Sequence, residues 1–82
     1  MRLLYFGRLA EIAGTRDLDL ALPTEIETVN ALIDWLATRS AALGEALRSP
    51  TVRAIIDDHY AHGDQPLVGV REIAFIPPVS GG

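Results

Sequence analysis

The sequence predicts an α+β roll, a mixed sheet of four to five strands with one main helix packed on one face. Three observations predict it. The first apolar run, Arg2 to Phe6, and the last, Glu72 to Ile76, carry bulk on both faces of an extended chain, as central strands do. Between them Val29, Leu32, Ile33 and Leu36 recur at helical spacing. The chain has 82 residues and no cysteine, so one small core must be held by packing alone. The outer runs can pair in parallel only if the helix-bearing segment crosses over between them.

Taken in order, residues 2–6 form the first strand, with Leu3 and Tyr5 on one face and Leu4 and Phe6 on the other, and Gly7 ends it. Leu9, Ile12 and Ala13 then have helical spacing, and Gly14 is a C-terminal stop. Residues 17–22 alternate strictly, with Leu18, Leu20 and Leu22 on one side, which predicts a half-buried second strand closed by Pro23. Thr28 is the expected N-cap of the main helix, and Trp35 lies off its apolar stripe as flank cover. Residues 41–48 continue helical in composition, interrupted at Gly44 and ended by Ser49-Pro50. Val52 to Ile56 is a β-branched third strand, and residues 57–64 read as a polar, turn-prone loop. Leu67-Val68 is at most a short fourth strand, and Glu72 to Ile76 is the fifth, with Ile73 and Phe75 facing one way and Ala74 and Ile76 the other.

The sheet therefore has one face under the helix and a second, apolar face around Leu4, Phe6, Ala74 and Ile76 that is free to dock a partner. After Ile76 come Pro77 and Pro78, which lack N–H donors and hold φ near −65°, so the chain must leave the body extended. The prolines stiffen the tail, which lowers the entropy lost when it threads into a partner. Val79, Ser80, Gly81 and Gly82 complete it, and two terminal glycines suit a narrow channel. Residues 1–76 are thus one domain and 77–82 an extended tail.

The net charge is −4, and the seven cations are all arginine without a basic cluster, which argues against nucleic-acid backbone binding. No run has the length of a membrane span or the pattern of a signal peptide, and the lack of cysteine fits a reducing, cytoplasmic setting. No phosphate loop, activated nucleophile or carboxylate pair is present. The most metal-like group is Asp57, Asp58, His59 and His62, but an H-x-x-H spacing on a turn reads more simply as solvated side chains, and no metal is expected.

The blocks Leu-Leu-Tyr-Phe-Gly-Arg-Leu-Ala-Glu-Ile-Ala-Gly, Thr-Val-Asn-Ala-Leu and Phe-Ile-Pro-Pro-Val-Ser-Gly-Gly resemble the small, sulfur-carrier subunits of molybdopterin synthases across the whole chain. The resemblance implies a ubiquitin-like β-grasp fold. It implies that an ATP-using, ubiquitin-activating-like adenylyltransferase adenylates the carboxylate of Gly82 and that a sulfur donor converts it to a thiocarboxylate. The large catalytic subunit, in a heterotetramer with this one, would then use that sulfur to build molybdopterin from cyclic pyranopterin monophosphate. Gly82 would be the reacting residue. Phe6, Leu4, Ala74, Ile76, Pro77, Pro78, Val79, Ser80 and Gly81 would contact partners, and this chain would bind no cofactor itself. It departs from the usual family pattern at Ala54-Ile55-Ile56-Asp57 and at Val70-Arg71-Glu72. Two other readings stand beside this one: a related carrier for thiamine, cysteine or tRNA thiolation, or a ubiquitin-like docking module whose terminus is never activated.

Overall fold

The computed structural model describes residues 1–78. In chain order the elements are β1 (Arg2–Tyr5), α1 (Arg8–Ala13), β2 (Asp17–Asp19), α2 (Val29–Arg39), α3 (Ala41–Leu47), β3 (Arg53–Ile56), β4 (His59–Ala61) and β5 (Glu72–Ile76). They build one five-stranded sheet in the order β2-β1-β5-β3-β4. β1 and β5 pair in parallel, Leu4 opposite Ala74 and Tyr5 opposite Phe75, and the other pairings are antiparallel. The expected crossover is present, and β5, last in the chain, is the middle strand.

Alternation sorts the two faces as the sequence predicts. Leu3, Tyr5, Ile73 and Phe75 are at most 3% exposed and lie under α2, which contributes Val29, Leu32 and Leu36. The Tyr5 and Phe75 rings stack with centroids 5.7 Å apart, tying β1 to β5 inside the core. Thr28 caps α2, its hydroxyl accepting from the Ala31 N–H at 3.1 Å. Gly14 closes α1 in the left-handed conformation. Trp35 packs half-buried against the core and carries the Arg39 guanidinium over its ring at 4.9 Å.

Four expectations need correction. The second strand stops at Asp19 and is exposed throughout, with Leu18 at 39%. It forms the sheet edge, where β1 covers one side only, and Leu20 and Leu22 instead pack half-buried beyond it. Gly44 interrupts nothing: it lies inside α3, buried, where α3 crosses α2. A Cβ built on it would lie 2.3 Å from that of Ala37, so the glycine is there to let two helices touch. Leu67-Val68 is no strand: Leu67 is buried but Val68 is 90% exposed, and the segment is held by Leu67 N–H donating to Glu27 O at 2.9 Å.

The fourth correction concerns residues 57–64. Asp57 and Asp58 are a two-residue turn and His59–Ala61 is strand β4, with Ile56 opposite His59 and Ile55 opposite Tyr60. Both aspartates have positive φ, 52° and 65°, as a type I′ hairpin turn requires. Asp tolerates this region better than most residues but less well than glycine. Asp58→Gly is therefore expected to stabilise the domain by about 0.5–1 kcal/mol, raising Tm by about 3–6 °C in a thermal melt.

Candidate functional site: an open sheet face beside the tail exit

The face of the sheet away from α2 has no covering element among the described residues. Three rungs cross it. The middle one runs Asp17, Leu4, Ala74, Ile55, Tyr60, each residue opposite the next on the neighbouring strand. Toward the end of β5 lie Ile76 and Arg53 in register, with Phe6 beside them, its N–H donating to Phe75 O at 3.1 Å. Toward the start of β5 lie Asp19, Arg2 and Glu72. Phe6 is 48% exposed and Tyr60 68%, while Leu4, Ala74, Ile76 and Ile55 are half-buried. An uncovered apolar centre of this kind makes the face a candidate association surface.

The sequence places Leu4, Phe6, Ala74 and Ile76 on one surface, and the structure brings those four together. It adds Ile55 and Tyr60, which sequence reasoning missed. Tyr60 reads from the sequence as part of a polar loop, and the signal that finds it is the Asp-Asp pair between two β-prone runs, a hairpin turn without its usual glycine.

The charges on this face are unevenly distributed. Arg2 donates to both carboxylate oxygens of Asp17, Nε to Oδ1 at 2.8 Å, and reaches Glu72 at 3.4 Å. The hydrogen bond from Arg2 holds the Asp17 carboxyl below the usual carboxylate range. Whatever this exposed pair contributes is complete at neutral pH and is lost as pH falls through the lowered Asp17 pKa. Asp57 and Asp58 stand at the same end, on the β3–β4 turn. His59 and His62 join no cluster: among the described residues no three His, Cys, Asp or Glu side chains come close enough to hold a metal ion.

The tail leaves where β5 ends. Pro77 is half-buried and sits against Gly7, where a Cβ would lie 3.0 Å from the proline Cγ. Gly7 also has φ 54° and ψ −136°, open to glycine, so one residue both turns β1 into α1 and makes room for the tail. Pro77 and Pro78 line a small cavity of about 110 Å³ with Leu9, Ala46 and Val52. The exit is thus packed in place beside Phe6 and Ile76. Val79, Ser80, Gly81 and Gly82 lie outside the described residues.

A family profile described as ThiS matches residues 3–82. The chain belongs to the ThiS family. Among relatives of this chain, the human molybdopterin synthase sulfur carrier subunit is 37% identical over 100% of this chain and 93% of its own length. The subunit of the same name from Escherichia coli strain K12 is 32% identical, over 100% of this chain and 99% of its own. Among solved structures, SAMP1 from Haloferax volcanii superposes with a TM-score of 0.78 at 26% identity, covering 100% of this chain and 98% of that one. The chain has the mixed sheet that the order of its elements implied and the β-grasp fold that the family resemblance implied. Among its described residues no helix is long and apolar enough to cross a membrane.

Proposed function

We propose that this chain is the sulfur-carrier subunit of a molybdopterin synthase, docking through the open sheet face and reacting through the carboxylate of Gly82. The observation that carries the reading is the juxtaposition of an apolar, uncovered face with a proline-stiffened tail exit at its edge. A partner seated on Phe6, Tyr60 and Ile76 has the tail exit at the edge of its own surface. The names of the full-length relatives support the pathway.

A carboxylate is a poor acylating group. Adenylation by a ubiquitin-activating-like partner, with pyrophosphate leaving ATP, turns it into a mixed anhydride. A sulfur donor then displaces AMP and leaves a thiocarboxylate on Gly82. Carried at the end of the run Val79-Ser80-Gly81-Gly82, that sulfur can be placed in a pocket of the large catalytic subunit, where water is restricted, and given to cyclic pyranopterin monophosphate to build the dithiolene. The carrier supplies reach and the reacting group, while the acids and bases belong to its partners.

Intact-mass measurement tests the reading. Protein incubated with ATP, a sulfide source and the activating enzyme of the same cell is expected to gain the difference between a sulfur and an oxygen atom, confined to the C-terminal peptide. Absence of that gain with a competent activating enzyme leaves a docking module whose terminus is not activated. The likeness to SAMP1 favours a second reading, a carrier in the same fold serving another acceptor. Omitting pyranopterin substrate and seeking other thiolated products separates the two.

The docking face makes a prediction of its own. Phe6→Asp puts a charge into the apolar patch beside the tail exit and is expected to weaken binding to the large subunit by about 100-fold, in the range of a lost hot-spot residue. Because Phe6 is 48% exposed in the free domain, Tm should move little. Calorimetric titration together with a thermal melt checks both.

A further inference from the structure

One side chain on the open face has no role in the apolar docking described above. Arg53 is exposed on β3, in register with Ile76, at the end of the sheet from which the tail leaves. Its guanidinium lies over the ring of Tyr60, 5.5 Å from the centroid. Arg2 and Arg48 are matched by Asp17, Glu72 and Asp34, but among the described residues no carboxylate forms an ion pair with Arg53. The carboxylates of this face lie away from it: Asp17 on the middle rung, paired with Arg2, and Asp19 and Glu72 on the last rung, where the Met1 ammonium is 3.5 Å from Asp19 and Arg2 reaches Glu72, with Asp57 and Asp58 level with them and in no ion pair among the described residues. The face is therefore polarised along β5, acidic where the strand begins and cationic where the tail exits.

We propose that Arg53, held over Tyr60, is the residue that selects and orients the docking partner by taking a partner carboxylate at the tail end of the interface. The inference rests on the docking face assigned under the carrier reading. A guanidinium stacked on an aromatic face keeps its planar fork free for a bidentate carboxylate and loses little side-chain freedom on pairing. Its neighbours Ile76 and Tyr60 form an open, largely apolar surface, which suits a flat protein partner. Seated on that surface, the pair is cut off from water and acts as a charge-assisted hydrogen bond. Because carboxylates outnumber cations at the far end of the face, Asp57 and Asp58 standing beside the ion-paired Asp19 and Glu72, a partner turned end for end would bring its own carboxylate against that surplus. Like charges then reject that orientation, and only the accepted one lays the tail along the partner. The partner predicted by this chemistry is a protein with an apolar patch edged by a carboxylate on the side that receives the tail.

The experiment measures the dissociation constant for the purified large synthase subunit of the same cell across a salt series, using full-length wild type, Arg53→Gln, Arg53→Lys, Arg53→Glu and Phe6→Asp. Arg53→Gln is expected to weaken binding about tenfold at low salt and to flatten its salt dependence, and Arg53→Glu about 100-fold. Arg53→Lys should keep the salt dependence while losing part of the affinity. Thermal melts accompany each variant. If Arg53→Glu stays within about twofold of wild type while Phe6→Asp abolishes binding, the face is the interface but Arg53 does not select the partner, and the proposal is overturned. If Arg53→Gln lowers Tm and leaves the salt dependence unchanged, the stack is a clamp on the β3–β4 hairpin only, which also overturns it. If Phe6→Asp binds as wild type does, the docking face itself is misassigned, and that failure is distinct from the other two.

Discussion

Deleting Gly82 is expected to abolish sulfur transfer while leaving the domain folded and its affinity for the large subunit within about threefold of wild type. The truncated chain still ends in a glycine carboxylate, Gly81, so the chemistry of the terminus is the same. What changes is reach. One extended residue spans about 3.5 Å, and a displacement of about 1 Å from the attacking geometry already costs on the order of 100-fold in rate. A slack tail could make up that distance by shifting its point of departure. Here the point of departure is held, because the half-buried Pro77 is packed against Gly7. Single-turnover assays with chemically prepared thiocarboxylate, on full-length and shortened chains, separate reach from activation. Sulfur transfer by the shortened chain at the wild-type rate would show that the terminus is not delivered by a fixed arm.

Gly44→Val should be the most damaging single change in the body of the domain. At Gly44 an added Cβ would meet the Cβ of Ala37 at 2.3 Å and its Cα at 2.7 Å, so α3 has to move off α2. Helix propensity pulls the other way, since replacing a mid-helix glycine by alanine gains about 1 kcal/mol, but valine keeps little of that gain and adds a second methyl to the clash. Overpacking of this kind costs about 3 kcal/mol or more in a domain of this size, about 12–24 °C in Tm. The double variant with Ala37→Gly is expected to recover part of the loss, because one of the two clashing atoms is gone, whereas Ala37→Gly alone should destabilise. Chemical denaturation of the four proteins measures the coupling. Additive losses would mean that α2 and α3 do not touch at Ala37 and Gly44.

The contrast between Gly14 and Gly44 shows what a sequence makes legible. Gly14 follows a helical pattern at its end, where a left-handed residue closes the last turn, and local chemistry is enough to identify it. Gly44 has no local function at all. It is explained by Ala37 on another helix, and nothing within its own helix announces that approach. The alternation of Leu3, Leu4, Tyr5 and Phe6, the Thr28 cap and the apolar doubling of β1 and β5 were likewise readable, because each is a property of a few consecutive residues. Leu18 misled for the opposite reason: its alternation is that of a half-buried strand, but how much of it is buried depends on where the sheet ends. The open face was legible in its β1 and β5 portion and invisible in its β3–β4 portion, since the turn that puts Tyr60 there is made by two aspartates in an unusual conformation.

The strand that carries the tail is hydrogen-bonded on both sides, to β1 in parallel and to β3 antiparallel. Traction on Pro78 along the strand axis loads both ladders at once, in shear, so the bonds must yield together and cannot be peeled away one by one. The stacked rings of Tyr5 and Phe75 oppose the same sliding from within the core. Tension applied at the tail exit is therefore borne by the whole of β5 at once, and the domain does not unravel from that end.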